Sequence, residues 1–345
     1  MSGVGIKDIA ARANVSIATV SYVLNGTRNV KLNTRERVLR VIQEMNYKPN
    51  NAAQSLKRKR TNTIGVIAED VTVFNVPEII DGIHDCAERM DMHILLTNLR
   101  LDKRVGRNLH QTEAYRQDVD NAVDELLSKQ VEGIIYIGVH PRDLTGLCDT
   151  LGKPIVYTYS YTQNDVSIQY NDEQASYEAM SYLVQHGHSR IAIISGTMNS
   201  TPSRLRFNGY YKAVTDFELP FDPQYIKMGN WEAESGYRLT QELLALRQRP
   251  TAILAMNDVM AVGVLRAATD LGVRMPEELS VMGFDNREFS DYLMPRITTM
   301  SLPLHEMGFQ AMEALSRLMQ GETTEVSQMP LCRLIERDSV MRLIE

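Results

Sequence analysis

From residue 61 onward, short apolar runs alternate with longer segments of helical period, and this alternation restricts the fold more than any other feature. Ile64-Gly65-Val66-Ile67-Ala68 reads as a buried strand. Residues 77–90 follow, with Ile79, Ile80, Ile83, Cys86, Ala87 and Met90 at the spacing of one helix face. Further strands are expected at 93–97, 133–137 and 154–158, with a helix at 114–129. A second series has helices at 173–186, 204–217, 234–246 and 258–271, and strands at 190–195, 225–228, 251–256 and 280–284. Strands separated by helices pair in parallel, so two successive doubly wound parallel sheets are expected. Ligands of such sheets lie beyond the carboxyl ends of the strands. With two units, the natural pocket is the cleft between them.

Charge divides the chain differently. Residues 1–60 hold 12 Lys and Arg against 3 Asp and Glu, a net +9, while the remainder holds 25 against 40, a net −15. A basic head on an acidic body marks a nucleic-acid-binding segment joined to something else. The acidic body repels phosphate, so only the head is expected to touch DNA. Apolar residues make up 43% of the chain, enough for a real core and against wholesale disorder. No uncharged apolar run approaches the ~18 residues of a membrane helix. The first ten residues lack a basic start followed by an apolar stretch, so no secretory signal is expected. Cys86, Cys148 and Cys332 are scattered without a CxxC pair, which argues against a disulfide framework or zinc site and for a reducing cytoplasm.

Within the head, residues 6–13 read as a short helix with Ile6, Ile9, Ala10 and Ala13 on one face. Asn14 tolerates the left-handed turn that must follow, and Ser16 is placed to cap a second helix over about 17–24. That pattern is a helix-turn-helix, completed by a third helix from 33 or 34 to about 46. Val20, Val23 and Leu24 should pack inward; Ile17, Ala18, Ser21 and Tyr22 should point outward, where such a helix meets the major groove. Ile17 and Ala18 suit a thymine methyl and Tyr22 offers one hydroxyl, but no Arg or Gln is present for bidentate base readout. Shape and backbone contacts should therefore carry more of the affinity. Three short helices with a solvated Arg face would also suit a plain structural subdomain. Beyond Pro49, residues 50–57 suit a two-turn helix with small Ala52 and Ala53, one large apolar Leu56, and four consecutive cations, 57–60. A protruding leucine beside cations is the make-up of an intercalating minor-groove wedge, or else the segment is a plain basic linker.

In the body, Asp70 and Phe74 follow the first strand, Tyr136 ends the third, and Tyr159 and Tyr161 follow the fourth. Arg204 and Arg206 open a helix after Ser195-Gly196, Trp231 follows Met228, Asn257-Asp258 follow Met256, and Asp285 follows Phe284. Aromatic rings with Arg, Asn and Asp suit a neutral, hydroxyl-rich ligand. His186 and His188 mimic a metal pair but are expected to mark the turn before a strand. No hydrolase elbow, phosphate-binding loop or dinucleotide fingerprint appears where it should, so no enzyme activity, cofactor or metal is expected. Residues 101–113 look inserted after the second strand, either bordering the cleft or forming a surface loop.

The run Ile6-Lys7-Asp8-Ile9-Ala10, Ala13-Asn14-Val15-Ser16, Thr19-Val20-Ser21-Tyr22-Val23-Leu24-Asn25, Tyr47-Lys48-Pro49-Asn50 and Ala52-Ala53-Gln54-Ser55-Leu56 resembles the lactose-repressor and galactose-repressor family of bacterial transcription regulators. The resemblance continues in His186-Gly187-His188, Asn257-Asp258, Ser280-Val281-Met282-Gly283-Phe284-Asp285-Asn286 and Leu334-Ile335-Glu336-Arg337. It implies a helix-turn-helix head over 1–49, a hinge over 50–60 and a core over 61–345 built like a periplasmic sugar-binding protein. The core's first subdomain would take about 61–160 and 290–320, and its second about 161–289 and 321–345. The implied DNA-binding set is Ser16, Ile17, Ala18, Thr19, Ser21, Tyr22, Asn25, Asn50, Ala53, Leu56 and Lys57, with Leu56 as the wedge. The implied effector set is Asp70, Phe74, Tyr136, Tyr159, Tyr161, Arg204, Arg206, Trp231, Asn257, Asp258 and Asp285. Of these, Arg206, Trp231, Asn257 and Asp285 match the family's ligand contacts, while Tyr159 stands where many members carry Asp. The expected protein is a cytoplasmic homodimer that binds a pseudo-palindromic double-stranded operator. It represses carbohydrate catabolic genes under control of a sugar-like effector, with a nucleobase or nucleoside co-repressor as the alternative. A transport-type sugar-binding protein or a flavodoxin-like enzyme would share the sheet pattern but not the basic head.

The wedge reading has a direct test. Leu56→Gly should weaken specific operator binding by roughly tenfold or more and spare non-specific binding, since the cations remain. Gel shifts on operator and random duplexes measure both, and equal losses would reject the wedge.

Overall fold

The chain divides into two units, Met1–Thr61 and Asn62–Glu345. The computed structural model describes residues 4–25, 30–47, 61–106, 111–324 and 329–343. In the first unit, α1 (Ile6–Arg12), α2 (Ile17–Asn25) and α3 (Leu32–Glu44) bury Ile9, Ala10, Ala13, Val20, Val23, Val38 and Val41 against one another. Asp8 closes the start of α1 by accepting from the Gly5 N–H at 2.8 Å. The α1–α2 turn passes through Asn14 at φ 48°, the left-handed conformation that Asn tolerates.

The second unit contains two sheets. The first has order β2-β1-β3-β4-β5, from β1 (Thr63–Ala68), β2 (His93–Asn98), β3 (Ile134–Ile137), β4 (Ile155–Thr158) and β5 (Val166–Ile168), all parallel. The second has order β11-β10-β9-β8-β6-β7, from β6 (Ile191–Ser195), β7 (Ile226–Met228), β8 (Ala252–Ala255), β9 (Ser280–Asp285), β10 (Thr298–Ser301) and β11 (Arg333–Ile335). Only β11 runs antiparallel to its neighbour. Every residue of β3, β4, β6 and β8 is buried, as expected of parallel strands covered on both faces. The first lobe is covered by α4 (Asn75–Arg89) and α6 (Arg116–Ser128), with a one-turn α5 (Leu101–Val105) between them. The second is covered by α7 (Asp172–Gln185), α8 (Thr201–Asp216), α9 (Ala233–Leu244) and α10 (Asp258–Asp270). The chain then returns as α11 (Leu304–Met319), which packs on α4 and on β3, β4 and β5.

Strand pairing corrects the expected lobe limits. β5 pairs with β4, so the first lobe runs past 160 to Ile168. β10 pairs with β9, so 290–301 belongs to the second lobe and the first resumes only at α11. Both strands are short and half-polar, Val-Ser-Ile and Thr-Thr-Met-Ser, and carry little periodic signal. Within the 101–113 segment, residues 101–105 form α5 rather than a loop. Leu101 is fully buried and its N–H donates to the Glu69 carbonyl at 2.8 Å, tying the segment to the end of β1. His188 anchors the turn before β6. Its buried ring donates from Nε2 to the Met341 carbonyl at 3.1 Å and accepts from the Thr251 hydroxyl at 3.0 Å, and burial pushes its pKa down to about 4.

α4 and α11 touch backbone to backbone. A Cβ on Gly82 would lie 1.9 Å from the His305 carbonyl oxygen, and one on Gly308 would lie 2.0 Å from that of Ile79. Gly308→Ala must push the helices apart and should cost roughly 1–3 kcal/mol. Denaturant melts of the full chain measure the loss, and wild-type stability would mean that the helices do not meet there.

Candidate DNA-reading helix and effector cleft

On α2, the Ser16 hydroxyl accepts from the Thr19 N–H at 3.1 Å and lies 2.9 Å from the Thr19 hydroxyl, capping the helix start as the sequence suggested. Ile17 is 46% exposed and Ala18 is exposed beside it, while Val20 and Val23 are buried. Ser21 and Tyr22 are half-buried at the edge of that face rather than fully outward. The α3 cations Arg35, Arg37 and Arg40 are exposed. The side chain of Asn25, together with Asn50, Ala53, Leu56 and Lys57, lies outside the described residues.

In the second unit, one buried cation collects the strand ends. Arg206, on α8, donates from Nε to Asp172 Oδ1 at 2.7 Å, from a terminal nitrogen to the Tyr170 hydroxyl at 3.1 Å, and from the other to the Met256 carbonyl. Its guanidinium lies 3.7 Å from the centroid of the Phe284 ring and 5.9 Å from that of Trp231. Asp285 Oδ1 is 3.7 Å from the same guanidinium. One cation thus faces two buried carboxyls. Asp172 holds the close hydrogen bond, and burial lifts Asp285 to about 8 against the pull of Arg206, with Asp258 adding repulsion. At neutral pH Asp285 therefore largely keeps its proton and offers both a donor and an acceptor.

Tyr159, Trp231 and Asp285 follow strand ends with φ of 57°, 73° and 103°, a backbone region that side-chain-bearing residues seldom adopt. The Asn257 side chain supports this arrangement: it caps α10 by accepting from Met260 N–H at 2.8 Å and donates to the Trp231 carbonyl at 3.1 Å. Tyr159 is buried with its ring 6.0 Å from that of Tyr170. Across from these, Phe74 of the first lobe lies under the Arg287 guanidinium, 4.5 Å from its ring centroid. Phe74, Glu78 and Leu304 of one lobe and Asp285, Arg287, Phe289 and Tyr292 of the other line a cavity of about 540 Å³. Arg287, Asp172 and Tyr170 escaped the sequence reading. Arg287 directly follows the Phe284-Asp285-Asn286 strand end, and that adjacency was the available signal.

Of the expected site residues, Tyr136, Asp258 and Asp70 spend their side chains on internal contacts. Tyr136 is fully buried and donates to Glu69 Oε1 at 2.8 Å, inside a sealed cluster with Arg142 and Tyr115. Asp258 is fully buried and accepts from Arg287 N–H, Ser290 hydroxyl and Thr299 hydroxyl at 2.7 Å each, so its carboxylate ties α10 to the loops around β9 and β10. Tyr161 holds a loop through its backbone, donating to the Arg142 carbonyl at 3.1 Å and accepting from Leu144 N–H at 2.8 Å. Asp70 is buried and accepts from the Thr72 N–H and hydroxyl at 3.0 and 2.7 Å, as a turn-forming carboxylate. Arg204 lies two positions before Arg206, about 200° around the helix, and is exposed on the opposite flank. Among the described residues, no group of three or more His, Cys, Asp or Glu is placed to hold a metal ion, and no helix is long and apolar enough to cross a membrane.

Comparison with known proteins decides the identity of this arrangement. Residues 5–50 match the model for bacterial regulatory proteins, lacI family, and residues 180–340 match a periplasmic binding protein-like domain. Catabolite control protein A of Priestia megaterium is 34% identical over 339 residues, covering 96% of this chain and 98% of that protein. The chain belongs to the lacI family. The HTH-type transcriptional repressor PurR of Histophilus somni (strain 129Pt) is 31% identical, covering 98% of this chain and 99% of that protein. Among solved structures, the lac repressor dimer bound to operator and the anti-inducer ONPF superposes with a TM-score of 0.79 at 29% identity, covering 99% of this chain and 100% of that one. As a lacI-family member the chain is a DNA-binding transcriptional repressor with an effector-binding core. Repressors of this family bind operator DNA, answer to small-molecule effectors and form dimers.

The Asp285 shift predicts a pH effect. Because its folded pKa lies above the unfolded value of 3.8, the stabilisation it brings is complete below that value and is lost as pH rises through about 8. Thermal melts between pH 6.5 and 8.5 should show wild type losing stability, with Asp285→Asn losing less. Parallel curves would show that Asp285 titrates normally.

Proposed function

We propose that this lacI-family repressor controls carbohydrate catabolic genes in the cytoplasm by sensing a sugar-like effector between its two core lobes. The observation that carries this reading is the neutral-leaning Asp285 carboxyl beside the Arg206–Asp172 pair, whose guanidinium lies near the rings of Trp231 and Phe284, with Phe74 of the other lobe lining the same cavity as Asp285. A sugar hydroxyl both donates and accepts, as a protonated carboxyl does, and the C–H faces of a sugar ring pack on aromatic rings. A solved relative, the transcriptional regulator CelR, was captured with cellobiose, at 25% identity and a TM-score of 0.64 over 97% of this chain.

On DNA, two heads occupy the half-sites of a pseudo-palindrome about one helical turn apart. Ile17, Ala18 and Tyr22 touch bases, Ser16, Thr19, Ser21 and Asn25 fix the helix in the groove, and Leu56 wedges the central step from the hinge. The effector changes how the lobes close and so changes operator affinity, and the operator must alter effector affinity by the same factor.

A nucleobase or nucleoside co-repressor is the second reading. It is favoured by Tyr159, a stacking ring where many family members carry a carboxylate, paired with Tyr170.

A thermal-shift screen of sugars and nucleosides on the full chain separates the two readings, since saturating ligand at about 100 times its dissociation constant stabilises by about 2.7 kcal/mol. Asp285→Ala should abolish the shift from the active compound while leaving gel retardation of operator duplex intact. A chain beginning at Thr61 should lose that retardation. Equal retardation by the truncated chain would move DNA binding away from the head.

A further inference from the structure

We infer that the second lobe carries a separate binding pocket for an aromatic monocarboxylate, between α8 and the β7 edge of the second sheet. The pocket has a volume of about 560 Å³, within the range of small-molecule sites. Its floor is the open edge of the second sheet. β7 pairs only with β6, and Ile226 and Met228, two apart on that strand, share one sheet face. Phe207 from α8 and Met198 from the preceding loop add an aromatic ring and a second thioether. Met198 and Met228 are 58% and 60% exposed, so their thioethers are open to an incoming ligand. Thioethers pack well against aromatic rings, so a flat aromatic body fits this lining.

Two polar groups give the pocket a head-group end. Ser203 lines it, is 1% exposed, and its hydroxyl has no hydrogen-bond partner among the described residues. A buried hydroxyl without a partner is costly unless a ligand supplies one. Arg204, at the mouth, has no acidic partner among the described residues and reaches only the Thr201 hydroxyl, at 3.4 Å. A carboxylate would accept from both the guanidinium and the hydroxyl. Both groups also lie in the first turns of a 16-residue helix, where negative charge is favoured.

The pocket adjoins the effector cleft without belonging to it. Arg204 and Asn208, each two positions from Arg206 and about 200° around α8, carry the pocket away from it, Ser203 sits at its border with Arg206, and the ring of Trp231 packs on Gly196, next to the lining residue Ser195. As the chain's sole tryptophan, Trp231 is a built-in reporter.

The test titrates full-length protein with 4-phenylbutyrate, read by calorimetry and tryptophan fluorescence, with 4-phenylbutan-1-ol as the neutral control. Saturable binding at one site per chain, with a dissociation constant below about 1 mM, is expected. Arg204→Met should weaken the carboxylate by roughly tenfold and leave the alcohol unchanged, because only a charge-assisted hydrogen bond is lost. Met228→Asp, at an exposed position, should weaken both, and thermal melts would confirm that the variants are folded. Asp285→Asn should change neither. Absence of saturable binding, or binding unaffected by Arg204→Met and Met228→Asp, overturns the proposal. Binding lost in Asp285→Asn but kept in Met228→Asp also overturns it, by moving the compound to the effector cleft.

Discussion

The buried guanidinium of Arg206 is the interaction on which the second lobe's half of the cleft depends. It joins the start of α7 through Asp172, the loop before it through Tyr170, and the end of β8 through the Met256 carbonyl. It also underlies the Phe284 ring at the end of β9. Burying a cation is tolerable only when its hydrogen bonds are met, and here side chains and a carbonyl from separate elements meet them. The same charge is too little for two carboxyls. Burial raises the proton affinity of Asp285, which has no close side-chain hydrogen bond among the described residues.

The core architecture was legible because parallel sheets need continuous apolar strands separated by helices, and both signals are strong here. In the head, the Asn14 turn and Ser16 cap were legible because few residues serve those positions. What escaped had little local signal. β5 and β10 are too short and polar to announce themselves, so the lobe limits were misplaced. Asp258 follows a helix cap and reads like a cleft residue, yet its carboxylate points into three loop donors. Tyr136 was assigned by its place near a strand end, but alternate residues of a strand face opposite sides, and its side faces Glu69. The positive φ values at Tyr159, Trp231 and Asp285 run against local preference and arise only from tertiary packing.

The reading helix and the cleft use opposite chemistries. The exposed face of α2 begins with Ile17 and Ala18, which measure fit against a groove more than they count hydrogen bonds. The cleft relies on a few polar groups among rings. The first 60 residues carry a net +9 and the remainder a net −15, so the long-range attraction for phosphate resides in the first unit.

The interleaved path of the chain also bears on how the molecule is made. α4 lies early in the chain, but its packing partner α11 follows β6 to β10 of the second lobe, and that lobe's sheet in turn is completed only by β11, after α11. The apolar flank of α4, with Ile79, Ile83 and Cys86, thus takes much of its cover from a distant segment, while the three-helix head holds its own small core. In sequence terms the head is a local structure, whereas each lobe is closed by a segment from far along the chain, so long-range pairing rather than local propensity sets how each lobe completes itself.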